Sequence, residues 1–436
     1  MKSANIQHSQ ASEQGFKGLN PIVIIGALFF VFGFITWINS ILIPYLEMAC
    51  ELTPSQAVLV TFASYIAYAV MAFPSSWILS KTGFKRGMIV GLMVMAVGAL
   101  VFIPAAMSRT FGLFLTGLFI MGTGMALLQT ASNPYITILG PIESAAKRIS
   151  VMGICNKTAG AIAPLIMGTL LLDGMDKFKN LTGLPVAEKE VLLGELASKI
   201  IYPYIVIALG FVILAIVIRY SSLPDIKNEA DVANADDNDE QPVVARSRDS
   251  IFSYPYLWIG FATIFLYVGV EVIAGDITPL YAHNFFNIPL DTAKHYTTYT
   301  MLGMLAGYLL GILLIPKVIK QETALKISAL LGILLSLGVI YAPGHSSVLL
   351  LALLGFANAQ MWPAIWPLSI HGLGRFLKTG SALLIVGIAG GAIMPRIWAT
   401  IAESTGMQQA FWLLVPCYLF IFYFATWGHK VGAKQK

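Results

Sequence analysis

Charge is what this chain has least of: only 11% of its 436 residues are Asp, Glu, Lys or Arg. A soluble domain carries about 25%, so water-borne domains adding up to this length would lack the polar surface to cover themselves. Cysteine is scarcer still. Cys50, Cys155 and Cys417 are the only three, and none sits in a Cys-x-x-Cys pair or a Cys/His cluster, which excludes a disulfide scaffold. His8 lies in the tail, and His283, His295, His345, His371 and His429 fall in loops or at the ends of apolar runs, with no metal-ligand spacing. No phosphate loop or catalytic triad signature occurs, so the reading is of a protein that is not an enzyme and uses no cofactor. What the chain has in excess is apolar: 57% of it is hydrophobic. Its partner is a lipid bilayer.

A helical span needs about 20 apolar residues. Such runs cover 22–46, 55–79, 86–106, 110–139, 149–172 and 200–220, then 254–283, 294–316, 323–342, 346–370, 378–402 and 408–429. They are continuous rather than alternating, which argues against a β-barrel. The expected fold class is an all-α membrane protein of twelve transmembrane helices. The first twenty residues are polar and the first apolar run is long, so no cleavable signal peptide is expected.

Lysine and arginine orient the spans. With the N-terminus in the cytoplasm, nineteen of the 27 basic residues fall in inside segments and six outside, leaving only Lys157 and Arg396 within spans. Both termini are therefore expected in the cytoplasm. The net charge of +5 reflects that bias and is not a nucleic-acid footprint. The chain divides into a cytoplasmic tail (1–21), a first bundle (22–220), a polar linker (221–253), a second bundle (254–430) and a short tail (431–436). The linker holds the acidic run Asp236-Asp237-Asn238-Asp239-Glu240, read as a solvated segment. Asp173 to Lys199 reads as a second sizeable loop, facing outside, with a glycosylation-type sequon at Asn180-Leu-Thr182.

The two bundles resemble each other. Gly160-Ala-Ile-Ala-Pro164 in span five recurs as Gly391-Ala-Ile-Met-Pro395 in span eleven, 231 residues later, and the same offset maps Lys147 onto Lys378 and Ser150 onto Ser381. A parallel six-helix repeat about an axis along the membrane normal is a transporter architecture, with the site at the midplane between halves. Pro74, Pro134, Pro164, Pro279, Pro363, Pro367 and Pro395 lie inside spans, where helix breaks survive only beside helices or cavities that satisfy the freed carbonyls.

Ionisable groups within the bilayer are costly and hence functional candidates. Glu271, deep in span seven with apolar neighbours, reads as a cation-coupling or substrate-binding group, or as half of a structural ion pair with Lys157 or Arg396. Asp276 is the second coupling candidate; alternatively, being nearer the outer end, it simply reaches water. Lys157, next to Asn156 in span five, reads as part of a lined cavity. Arg396, after the span-eleven proline, reads as a gate-forming partner near the outer side. Polar amides cluster too: Asn39 in span one, Gln129 and Asn133 one turn apart in span four, and Asn358 and Gln360 in span ten. An amide offers a donor and an acceptor together, which suits a polyhydroxyl ligand. Trp37, Tyr65, Trp362 and Trp366 offer faces for a pyranose ring, although membrane tryptophans commonly serve interfaces or packing.

These residues resemble a known family. Gln129-Thr-Ala-Ser-Asn-Pro-Tyr-Ile-Thr-Ile-Leu-Gly-Pro141 is similar to the span-four signature of the fucose–galactose–glucose:cation symporters of the major facilitator superfamily. Phe34-Ile-Thr-Trp-Ile-Asn-Ser-Ile-Leu-Ile-Pro44 resembles its span-one motif and Lys378-Thr-Gly-Ser-Ala-Leu-Leu-Ile its span-eleven motif. Gly153-Ile-Cys-Asn-Lys157 and Tyr267-Val-Gly-Val-Glu271 resemble the glucose/galactose branch. The superfamily's loop 2–3 motif survives in part as Gly83-Phe-Lys85-Arg86, with Ser80 where an acid is usual. The resemblance implies two pseudo-symmetric six-helix bundles, alternating access and a monomer. The proton-coupled fucose carriers have an Asp in span one and a Glu in span four; here Ser40 and Gln129 occupy those positions. Neither carries a proton, so Glu271 becomes the main coupling candidate.

The expected function is cation-coupled (H+ or Na+) import of a neutral monosaccharide such as glucose or galactose through the inner membrane. Asn39, Gln129, Asn133, Asn156, Lys157, Asn358, Gln360 and Trp362 are the candidate sugar-binding residues. The alternatives are an N-acetylglucosamine importer, a drug/proton exporter and a sugar receptor without turnover.

Overall fold

The computed structural model describes residues 21–138, 145–172, 185–221, 223, 250–315, 318–371, 373 and 376–432. The sequon at Asn180 and the acidic run of the linker lie outside them. Among the described residues the chain is helical with no strand, and twelve helices are long and apolar enough to cross a membrane. These are α1 (Pro21–Ala49), α2 (Pro54–Leu79), α3 (Lys81–Ser108), α4 (Phe111–Ser132), α5 (Val151–Leu171), α6 (Val186–Tyr220), α7 (Pro255–Phe286), α8 (Leu290–Leu314), α9 (Gln321–Tyr341), α10 (His345–Ile370), α11 (Ala382–Thr405) and α12 (Gln409–Thr426). They form two six-helix halves, α1–α6 and α7–α12. Twelve crossings return the chain to the end from which it set out, here termed the terminal end; the opposite end is distal.

The apolar runs located all twelve spans but not the full extent of α6. Val186–Ser198, within the expected outer loop, is a helix that leads into that span. Glu188, Lys189, Glu190 and Glu195 mask it from a hydropathy reading, yet Leu193, Leu196 and Ala197 form a buried face. Tyr45 of α1 donates to the Leu196 carbonyl at 2.5 Å and fastens the extension to the bundle.

Local chemistry fixes the helix ends. Thr53 and Gln56 exchange side-chain and backbone hydrogen bonds in a capping box that opens α2, with Pro54 in the first turn. Arg109 and Asn287 adopt left-handed backbone angles, ending a helix at the distal turns after α3 and α7.

Inside the spans, irregularities follow the prolines, each of which deprives the carbonyl four residues earlier of its donor. Pro44 frees Ser40, and α1 turns at Ile38 between its two segments. Pro363 frees Ala359, where α10 breaks between Asn358 and Met361. Pro279 frees Gly275, and α7 passes through a π-helical turn over Ile273–Ile277. Elsewhere helices pack closely. A Cβ at Gly33 of α1 would fall inside the carbonyl of Asn156 on α5, so these two backbones meet only because position 33 is glycine.

The halves touch along α1 with α7, α2 with α11, and α5 with α8. Their distal parts are sealed: Trp37 to Leu46 of α1 and Val272 to Ala282 of α7 are buried without exception. Towards the terminal end, Phe29, Phe30, Val31 and Phe34 of α1 and Phe261, Ala262, Phe265 and Leu266 of α7 all retain exposure.

Candidate transport site between the halves

Lys157 of α5 and Glu271 of α7 meet across the seam of the two halves, Nζ to Oε1 at 2.7 Å, with side chains 10% and 12% exposed. The pair lies where the sealed distal part gives way to the more open terminal part. Each charge compensates the other, so the site is neutral at its centre. Of the two partners left open for Glu271 by the sequence, Lys157 is the one it has.

Trp37 of α1 lies over the Lys157 ammonium, 4.8 Å from its ring centre, a cation–π contact that strengthens as water is excluded. Its ring is wedged between Gly160 of α5 and Gly275 of α7, where a Cβ on either glycine would strike it. One tryptophan thereby joins α1, α5 and α7. Trp37 is 2% exposed, so in this conformation it packs the seam rather than offering a face to a ligand.

The amides are spread over both halves. Gln129 of α4 donates to the Tyr68 hydroxyl of α2 at 2.7 Å. Asn39 is 2% exposed and accepts from Ser64 at 3.5 Å, in a narrow cavity that Thr36, Tyr65 and Tyr68 also line. Asn156 donates to the Phe29 carbonyl of α1 at 3.3 Å. The Asn133 side chain lies outside those described. In the second half, Asn358 is wholly buried and accepts from Tyr418 of α12 at 2.8 Å, leaving its Nδ2 unpartnered among the described residues. Gln360 donates to the Gly307 carbonyl of α8 at 2.6 Å. These two amides tie α10 to its neighbours α12 and α8.

Trp362 and Trp366 stack at 5.3 Å, and Trp362 lies 6.3 Å from Tyr267, one turn from Glu271. Both tryptophans keep some exposure, so they offer an aromatic surface in the second half. Asp276 does not reach water: it is 0% exposed within the π turn of α7.

Distal to the ion pair, hydrogen bonds join every pair of seam helices, among them one from Thr298 of α8 to the Ala161 carbonyl of α5 at 2.9 Å. Asn284 of α7 donates to Glu47 of α1 at 2.9 Å, and Lys294 of α8 donates to Thr169 of α5 at 3.3 Å. Arg396 of α11 donates to the backbone carbonyl of Ser55 on α2 at 2.8 Å and also to its hydroxyl. Arg396 is thus a cross-half contact near the end expected for it, made through hydrogen bonds rather than an ion pair. Sequence reasoning missed Tyr68, Glu47 and Asn284. Tyr68 has a local signal, since it lies three residues after Tyr65 on the same helix face; the Glu47–Asn284 pair, 237 residues apart, has none.

Comparison with known proteins accounts for this arrangement. Residues 25–385 match the family model of the Major Facilitator Superfamily. A glucose/galactose transporter of Brucella abortus is 32% identical over 432 residues, covering 98% of each chain. An L-fucose-proton symporter of Escherichia coli is 29% identical over 421 residues, covering 94% of each. A crystal structure of the Major Facilitator Superfamily transporter FucP in the outward conformation superposes with a TM-score of 0.71 at 26% identity, covering 96% of this chain and 99% of that one. The twelve spans, the seam between halves and the full-length likeness have one reading: this chain is a multi-pass membrane transporter, not an enzyme, and belongs to the fucose–galactose–glucose:cation symporter family of the Major Facilitator Superfamily.

Proposed function

We propose that the protein imports a neutral hexose, glucose or galactose, across the inner membrane in company with a cation. The observation that carries this reading is the chemistry at the seam. Its ion pair is internally neutralised, while the first half carries an amide–phenol pair and the second a pair of stacked tryptophans. That set offers hydrogen bonds and ring faces to an uncharged polyhydroxyl ligand and no net charge to an ion. The names of its relatives, a glucose/galactose transporter and an L-fucose-proton symporter, support the same substrate class.

The lysine and arginine bias supports cytoplasmic termini. On that reading the distal end faces outward, and this conformation is shut to the outside. Gln129 and Trp362 then meet sugar arriving between the halves, while Glu271 and Asp276 are the carboxylates available for coupling. The protein works as a monomer, since the route lies between the two halves of one chain.

Counterflow in proteoliposomes tests the substrate class. Loaded with unlabelled glucose or galactose, vesicles are expected to take up the labelled sugar transiently above equilibrium. N-acetylglucosamine as the better exchanger would name the sibling substrate. No exchange of any hexose, as for a receptor, or energy-dependent efflux of cationic dyes instead, would contradict the proposal.

A further inference from the structure

The ion pair leaves one buried carboxylate unexplained. Asp276 sits five residues distal to Glu271, is 0% exposed, and has no hydrogen-bond partner for either oxygen among the described residues. An ionised carboxylate sealed from water without donor or counter-charge is strongly unfavourable, so this conformation requires the group to be neutralised.

Among the described residues, the surrounding elements offer no free counter-charge. Glu271 on its own helix shares its sign and already holds Lys157. Tyr65 faces it from α2. Glu47 of α1 is engaged by Asn284, Arg396 of α11 by Ser55, and Tyr296 of α8 by His345 of α10. A bound metal cation would need a cage of oxygens, and two carbonyls of the π turn already receive hydroxyl donors. Thr278 and Thr300 donate to Ala274 at 2.7 and 3.3 Å, and Thr297 donates to Gly275 at 2.8 Å. Trp37, which covers Gly275, brings only an N–H donor. A proton neutralises the carboxyl group without recruiting any further ligand, and both Asp276 oxygens lack one among the described residues.

We propose that Asp276 is the proton-binding group of the transport cycle and that the coupling ion is H+. This rests on the cation-coupled reading above and divides the labour of α7: Asp276 carries the proton, while Glu271 stays paired with Lys157. With the distal end open, a carboxylate oxygen of Asp276 takes a proton from water on that side. Neutral, it allows α1 and α7 to close over it. The O–H bond breaks again after the sugar has left, the proton passes to water on the terminal side, and nothing is oxidised or reduced. An ionised Asp276 resists burial and so returns the carrier to the distal-open state.

The test compares wild type and Asp276→Asn in vesicles, following labelled hexose under an imposed proton or sodium gradient and in counterflow. Wild type is expected to accumulate sugar with the proton gradient. Asp276→Asn is expected to lose accumulation, settling at equilibration with the bath, while keeping counterflow. Proton-driven accumulation by Asp276→Asn at the wild-type level would overturn the assignment, as would wild-type uptake driven by sodium and indifferent to an uncoupler. If wild type exchanges hexose but neither gradient drives it, the cation-coupled reading fails as well. If Asp276→Asn exchanges nothing, Asp276→Glu decides: accumulation restored with a displaced pH profile supports proton binding, and no restoration makes the residue structural and overturns the proposal.

Discussion

Lys157 and Glu271 each lose their compensation if the other is removed. Breaking a buried pair by deleting one partner costs about 3–5 kcal/mol, whereas replacing both by apolar groups of similar volume is often close to neutral. Lys157→Ala and Glu271→Ala should each lower stability in detergent by roughly that amount, and Lys157→Met/Glu271→Met by clearly less than either. Denaturant titration of the four proteins checks this, and a double variant that loses the sum of the single losses would refute the pairing. Both residues stand out in the sequence as charges within apolar runs; their union does not, because it depends on how α5 meets α7. Trp37 shows the same limit. The sequence leaves its ring open between facing a sugar and packing, and the glycines that enclose it come from two other helices, at positions 160 and 275.

At the scale of the element, α7 owes its shape to Pro279. The proline removes the donor for the Gly275 carbonyl, and the Thr297 hydroxyl of α8 replaces it at 2.8 Å. Thr297→Val keeps the volume and deletes that donor, leaving a buried carbonyl unsatisfied at a cost of about 1–3 kcal/mol. The same substitution at Thr116 of α4, an exposed residue bonded within its own helix, should cost far less. Thermal unfolding of the two variants side by side tests this, and equal losses would contradict it. Pro279 and Pro363 were legible as breaks, and α7 and α10 depart from the α-helix around the carbonyls four residues upstream, whereas α5 runs unbroken through Pro164. The helix at Val186–Ser198 was not legible, because its four charges hide three buried apolar residues from any hydropathy reading.

The whole molecule is a pair of six-helix halves shut at one end. The internal repeat announced the halves, since Gly160–Pro164 and Gly391–Pro395 recur at one spacing. Which end is shut could not be read from the sequence, for the contacts that shut it join residues hundreds of positions apart. If those contacts mark a gate, tethering it should stop the cycle. With Ser55→Cys and Arg396→Cys, a flexible bifunctional thiol reagent is expected to abolish uptake, and cleaving the tether to restore it; transport unimpaired with the tether in place would refute the gate.

The account rests above all on sugar movement being tied to a cation gradient through the seam. The most direct measurement is uptake of a labelled hexose panel into vesicles holding the purified protein, under proton and sodium gradients imposed separately. It predicts glucose or galactose accumulating above the bath under the proton gradient and collapsing with an uncoupler. Uptake that only equilibrates under both gradients would contradict it.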